Sequence, residues 1–175
     1  TASGSESTVA GGFVNTASGT QSTVAGGNGN AASGFGSTVC GGITNDATGV
    51  SSTVAGEDNT ADGAVSTVPG GHSNDAGGDY SFAAGRRAHV RDAAEAGETG
   101  ICTVGTDCGD EGTFIWANST DLDLLSTAPR QFLVRAVGGI WFGNNNSPST
   151  PVGRLINTSA GGAHLTTGVV WTNAS

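Results

Sequence analysis

The chain has 175 residues, 31 of them glycine, with 15 acidic and 6 basic residues and a formal net charge of −9. That balance argues against nucleic acid or an anionic membrane as partner, since both call for a basic footprint. No apolar run approaches the ~18 residues of a membrane-spanning helix, so no membrane insertion by this segment is expected. All the basic residues are arginines (Arg86, Arg87, Arg91, Arg130, Arg135 and Arg154), and methionine is absent. A lysine-free acidic surface suits salty surroundings, although drift in base composition leaves the same trace. The sequence shows neither a signal peptide nor an initiator methionine, as expected of a mature or trimmed product.

The first half is written in one repeated unit. "STVAGG" stands at Ser7 and again at Ser22, followed by "STVCGG" at Ser37, "STVAGE" at Ser52, "STVPGG" at Ser66 and "SFAAGR" at Ser81. The units open at Ala2, Ala17, Ala32, Ala47, Ala61 and Ala76, so the period is 15 residues except for one unit of 14. The short unit is read as lacking a second glycine after Gly56. Gly/Ser/Thr/Ala-rich text is ordinarily disordered, but disorder has no need to keep register. A short strict period without helical patterning predicts a parallel β-solenoid with one coil per unit.

Within a coil, two short extended pieces are separated by glycine corners, where a positive φ is expected. Strand alternation places Ser7 and Val9 on one side and Thr8 and Ala10 on the other. The in-phase serines Ser7, Ser22, Ser37, Ser52 and Ser66 form one column of the repeat. The asparagines Asn15, Asn30, Asn45, Asn59 and Asn74 form another, predicted to bond side chain to side chain between coils. Six coils at about 4.8 Å each give a rod roughly 25–30 Å long. Each coil offers its interior little more than one valine with alanine and serine. A core so thin predicts that the second face is buried against other copies of the chain in a closed oligomer.

The pattern A-x-G-x-x-S-x-(A/V)-x-G, as in "ASGTQSTVAGG", resembles the head repeats of YadA-type trimeric autotransporter adhesins over residues 1 to about 91. The resemblance implies an all-β fold, a left-handed parallel β-roll or β-solenoid of about six coils of 14–15 residues. Three such rolls would pack about a threefold axis into a homotrimer. Val9 and its equivalents stand where the family more often has an inward alanine, and Thr8 and Ala10 replace larger outward apolar residues.

After Arg91 the repeated lettering stops. Residues 92–112 read as an acidic, glycine-rich inserted loop in which Cys102 and Cys108 are expected to form a disulfide outside the cell, two free thiols being the alternative. Cys40 takes the place of Ala10 in its coil and reads as a small buried hydrophobe. Residues 113–175 are β-rich and hold Trp116, Trp141 and Trp171 with Phe114, Phe132 and Phe142. They are read as an aromatic C-terminal segment that locks a trimer. The run from "AAGRRAHV" through "GTFIWANSTDLDLLSTAPRQFLVRAVGGIWFG" also resembles the segment preceding an endosialidase-type intramolecular chaperone in bacterial and phage fibres. That family cuts itself after a serine in a stretch similar to "GVVWTNAS". The resemblance implies Ser175 as an autocleavage terminus, although a boundary chosen by design gives the same end.

No residue set announces catalysis. His72, His89 and His164 are scattered outside any metal or nucleophile motif. Asp121 and Asp123 are weak candidates for a Ca²⁺ corner, with a solvated turn as the default. Asp107, Asp110 and Glu111 read as a solvated acidic patch, and no carboxylate pair has the spacing of a glycosidase. Arg86 and Arg87 are expected to pair with carboxylates between chains, with contact to acidic glycans as the alternative. The column Thr8, Thr23, Thr38, Thr53 and Thr67 admits an ice-binding solenoid, although it is one row rather than two. The function expected is therefore an adhesive extracellular fibre, with no cofactor and no catalysis by the mature chain. Its partners would be its own copies and a host-surface glycan or matrix protein. A phage tail fibre or tailspike component on the virion is the alternative.

Overall fold

The computed structural model describes residues 1–98 and 108–137. The chain divides into two units, Thr1–Arg135 and Ala136–Ser175. Of the second unit only residues 136 and 137 are described.

The first unit is a parallel β-solenoid of about eight coils built on two sheets. The first sheet takes the strand of each coil that carries the "STV" text, from Thr8–Val9 and Thr23–Val24 through Phe82–Arg86 to Phe114–Ala117 and Phe132–Arg135. The second sheet stacks Thr16–Ala17, Ala31–Ala32, Asp46–Ala47, Thr60–Ala61, Asp75–Ala76, Ala88–Val90 and Leu124–Leu125. Every strand pair is parallel, and equivalent residues stand over one another: Thr8 on Thr23, Thr23 on Thr38, Val39 on Val54. The period therefore fixes the register, since a coil of constant length returns the same side chain to the same place.

Between the sheets lies the core. Val24, Val39, Val54 and Val68 come from the first sheet and Ala17, Ala32, Ala47, Ala61 and Ala76 from the second, all fully buried. Ser22 and Ser37 fill the remaining space, and their hydroxyls donate to the carbonyls of Gly19 and Gly34 at 2.7 and 2.9 Å. The threonine of each triplet points outward, as alternation requires.

Two glycine columns have different causes. Gly27 has φ +94°, and a Cβ there would sit 2.1 Å from the carbonyl oxygen of Gly42 in the next coil. Gly19 has no positive φ, yet its Cβ would lie 2.2 Å from the oxygen of Gly34. The first column answers to both backbone conformation and close approach, the second to close approach alone. By contrast, a Cβ added at Gly26 meets nothing within 4 Å. This relocates the deletion in the short coil. Gly42 pairs with Gly56, with the register shift falling between Val39 and Gly42. The lost residue therefore precedes Gly56, at the open corner position, and the indispensable second glycine is retained.

The solenoid does not end at Arg91. Phe82 pairs with Phe114 and Phe114 with Phe132, which adds two coils to the six that the lettering shows. Inward positions in these two coils go to Ile115 and Leu133, in register with Ala83 of the sixth. The acidic stretch is thus a detour within the rod. The chain leaves after Val90 and re-enters where the Cys108 carbonyl accepts from the Asp79 amide at 2.9 Å and the Asp110 amide donates to the Arg91 carbonyl at 3.0 Å.

Candidate attachment surface

The asparagine column is a continuous ladder set in one corner of the rod. Asn30 Nδ2 donates to Asn15 Oδ1 at 3.2 Å, Asn45 Nδ2 to Asn30 Oδ1 at 3.1 Å, and Asn74 Nδ2 to Asn59 Oδ1 at 3.0 Å. Each amide also reaches carbonyls of its own and the next coil, as Asn45 Nδ2 does with Gly41 and Gly56. At the short coil only the backbone amide of Asn59 reaches Asn45 Oδ1, at 3.2 Å. The ladder closes where Asn74 Oδ1 accepts from the amide of Ala88. Its members are buried and satisfied, so this column supports the rod and faces no ligand.

The outward face of the first sheet carries two rows. One runs Thr8, Thr23, Thr38, Thr53, Thr67 and then changes to Phe82, Phe114 and Phe132. The three rings stack with centroids 4.8 and 4.9 Å apart and planes within 9° and 13° of parallel. Phe132, at the end of the stack, is 70% exposed. The threonine face is therefore interrupted by an aromatic column from the sixth coil onward. In the neighbouring row Ala84 lies beside Trp116 and Trp116 beside Val134. Cys40 belongs to this outward face and is exposed with a free thiol, not buried. The alternation that buries Val39 turns the next side chain out.

Charged groups gather where the sixth and seventh coils meet. Arg86 Nη2 lies 2.9 Å from Asp121 Oδ1, and Arg87 Nε donates to Asp123 Oδ1 at 2.7 Å. Both arginines thus find carboxylates within their own chain. Asp121 and Asp123 are half committed to arginine, the reverse of a vacant cation corner. Among the described residues no group of three histidine, cysteine or carboxylate side chains could hold a metal ion.

Asp110 and Glu111 are buried, which corrects their reading as a solvated patch. Asp110 is 1% exposed and takes a two-pronged bond from Arg91, Nε to Oδ2 at 2.8 Å and Nη2 to Oδ1 at 3.0 Å. Burial pushes its pKa up, but the bonds from Arg91 and Ser126 and the charge of Arg91 outweigh this, so the net displacement is downward. Glu111 lies 2.7 Å from Arg130. These pairs pin the returning end of the acidic detour, and sequence alone could not reveal them because Arg91 and Asp110 are 19 positions apart.

On the outer face of the second sheet, His89 Nε2 lies 2.7 Å from Glu95 Oε2 and 3.7 Å from Asp75 Oδ2. Asp75 is pushed up to about 7, first by burial, with His89 opposing and Asp62, Glu95 and Asp92 adding to the rise. Asp46 is raised in the same direction by burial and by Asp62. Cys102, Asp107, His164 and Ser175 lie outside the described residues, so the expected Cys102–Cys108 pairing and the expected cleavage end fall there as well. Cys108 itself is buried.

Among the described residues no helix is long and apolar enough to cross a membrane. No curated protein matches the chain in sequence. Residues 7–19 match the family pattern described as the ubiquitous surface protein adhesin repeat. On a parallel β-solenoid of about eight coils, that match supports an adhesin-like repeat of the kind carried by surface proteins.

Proposed function

We propose that the chain is the rod of a homotrimeric, surface-displayed adhesive fibre, whose work is reach and attachment, not catalysis. The observation that carries this reading is the stacked column of Phe82, Phe114 and Phe132 on the outside of the first sheet, ending in a largely exposed ring. Inside the rod most of the buried hydrophobic side chains are valine and alanine, while these larger apolar side chains lie outside it. Water-exposed aromatic columns are unfavourable at roughly 25 cal/mol per Å² of apolar surface, and burying them against further copies removes that cost. Three copies are the number implied by the resemblance of the repeat to trimeric adhesin heads. The adhesin repeat at residues 7–19 points to the same class of surface protein.

Light scattering at micromolar and then nanomolar concentration tests the assembly. The expected result is a stable mass of three times the 17.0 kDa chain at both. A monomer at micromolar concentration overturns it.

A further inference from the structure

The outer face of the rod also holds an open hollow whose accessible lining is mostly apolar. It has a volume of about 330 Å³ and is lined by residues of the fifth, sixth and seventh coils on the first sheet. The floor is backbone. Gly71 and Gly85 both lie there, and a Cβ on Gly85 would stand 1.8 Å from the carbonyl oxygen of Ala117 in the next coil, so position 85 admits no side chain. One side is the indole of Trp116, 40% exposed. The others are His72, Arg86 and Asn118. Asn118 Oδ1 accepts from Arg135 Nε at 3.1 Å and from the Thr120 amide at 3.2 Å, which fixes the amide and leaves its Nδ2 donors without a described partner. Arg86 brings its guanidinium with the Asp121 carboxylate 2.9 Å away, a donor and an acceptor side by side.

We propose that this cleft binds one pyranose ring of an uncharged surface glycan. An aromatic face beside a polar rim is what a sugar needs. The ring's C–H face lies on the indole while hydroxyls on its edge exchange hydrogen bonds with donors and acceptors in pairs. The charge pattern selects a neutral ring. Arg86 already has its counter-charge in Asp121, and the chain's net charge of −9 disfavours a carboxylated or sulfated sugar at long range. The phenylalanine stack lies two positions back along the same strand, at Phe114 against Trp116, so self-association through the stack and sugar binding in the cleft can be separated by mutation. The inference rests on the attachment reading above and names its ligand class.

The test uses the full chain and ligand-observed NMR with methyl glycosides of neutral hexoses and N-acetylhexosamines, and a sialoside for comparison. The expected result is neutral-glycoside binding with a Kd of about 1–10 mM. Trp116→Ala should weaken it at least ~10-fold and His72→Ala less, both with unchanged oligomeric mass. Any of four results overturns the proposal: no neutral glycoside bound, binding of the sialoside alone, binding undiminished in both variants, or a lower mass in either variant. The last would show that a second copy covers the cleft. Binding of the intact chain to glycan-bearing cells separates the two readings. If cells are bound while every glycoside is silent, the cleft proposal fails and the attachment reading stands. If the chain is monomeric and no cell is bound, the attachment reading fails too.

Discussion

Asn45 Oδ1 accepts the backbone amide of Asn59 across the short coil, while Asn45 Nδ2 donates to the carbonyls of Gly41 and Gly56 and to Asn30. One side chain therefore serves three successive coils. Asn45→Ala leaves the backbone amide of Asn59 in a buried corner without its acceptor, at about 1–3 kcal/mol where water cannot replace the lost bond, and also removes the side-chain bonds to the Gly41 and Gly56 carbonyls. Thermal unfolding followed by circular dichroism, at fixed protomer concentration, should show a clear drop in Tm. The same substitution at Asn15, in the outermost rung, should cost less, because water reaches it. Equal losses at the two positions would mean that the ladder does not act rung by rung.

The glycine corners give a paired test. Gly27→Ala forces a Cβ to 2.1 Å from a backbone oxygen at a φ of +94°, and it should destabilise the rod by on the order of 3 kcal/mol or more. Gly26→Ala, one residue earlier, places its Cβ in open space. It should fall within about 1 kcal/mol of the parent, on the stabilising side if it only restricts the unfolded chain. Denaturant midpoints of the two variants decide the matter, and similar midpoints would contradict the stacking account.

These two corners also show what the sequence could and could not tell. Identical letters at a fixed period announce the solenoid, the buried valine and the asparagine column, because a parallel coil repeats its environment as strictly as its text. The continuation past Arg91 is hidden. "STV" becomes "FAA", "FIW" and "FLV", so the outward position changes from threonine to phenylalanine while the inward one changes among Ala83, Ile115 and Leu133. Only the alternation survives, and three residues of alternation are too short a signal to read. The burial of Asp110 was equally out of reach. It depends on Arg91 and Ser126, which the detour of the chain brings together, and local spacing carries no record of that.

The aromatic column makes a prediction about assembly. Phe132→Asp puts a charge at the exposed end of the stack, where any packed copy would have to desolvate it. The folded rod itself should tolerate the change, since this ring is mostly exposed. The oligomeric mass by light scattering should fall toward 17.0 kDa at micromolar concentration, with far-UV circular dichroism unchanged. An unchanged mass would assign the interface to another face of the rod.

The carboxylates set opposite limits on stability as pH changes. Asp75 lies in a cluster with His89, Glu95, Asp62 and Asp92, and its folded-state pKa is pushed up from 3.8 to about 7. The native state therefore holds a proton that the unfolded chain releases between about pH 4 and pH 7. By linkage, this contribution is fully present below pH 4 and is lost as pH rises through 7. Asp110 behaves in the opposite sense. Arg91 and Ser126 hold its pKa below 3.8, so its contribution is present above that value and is lost as the solution is made more acid. Together the two groups place greatest stability on the acid side of neutrality, near pH 4–5, with a decline toward pH 8 governed by Asp75. Asp75→Asn keeps the shape of the side chain and cannot ionise, so it should flatten the decline between pH 5 and pH 8 and leave the acid limb in place. Urea midpoints measured across that range would show it. A decline of the same slope in Asp75→Asn would move the titrating group elsewhere on the second sheet, with Asp46, also raised by burial and by Asp62, the next to substitute.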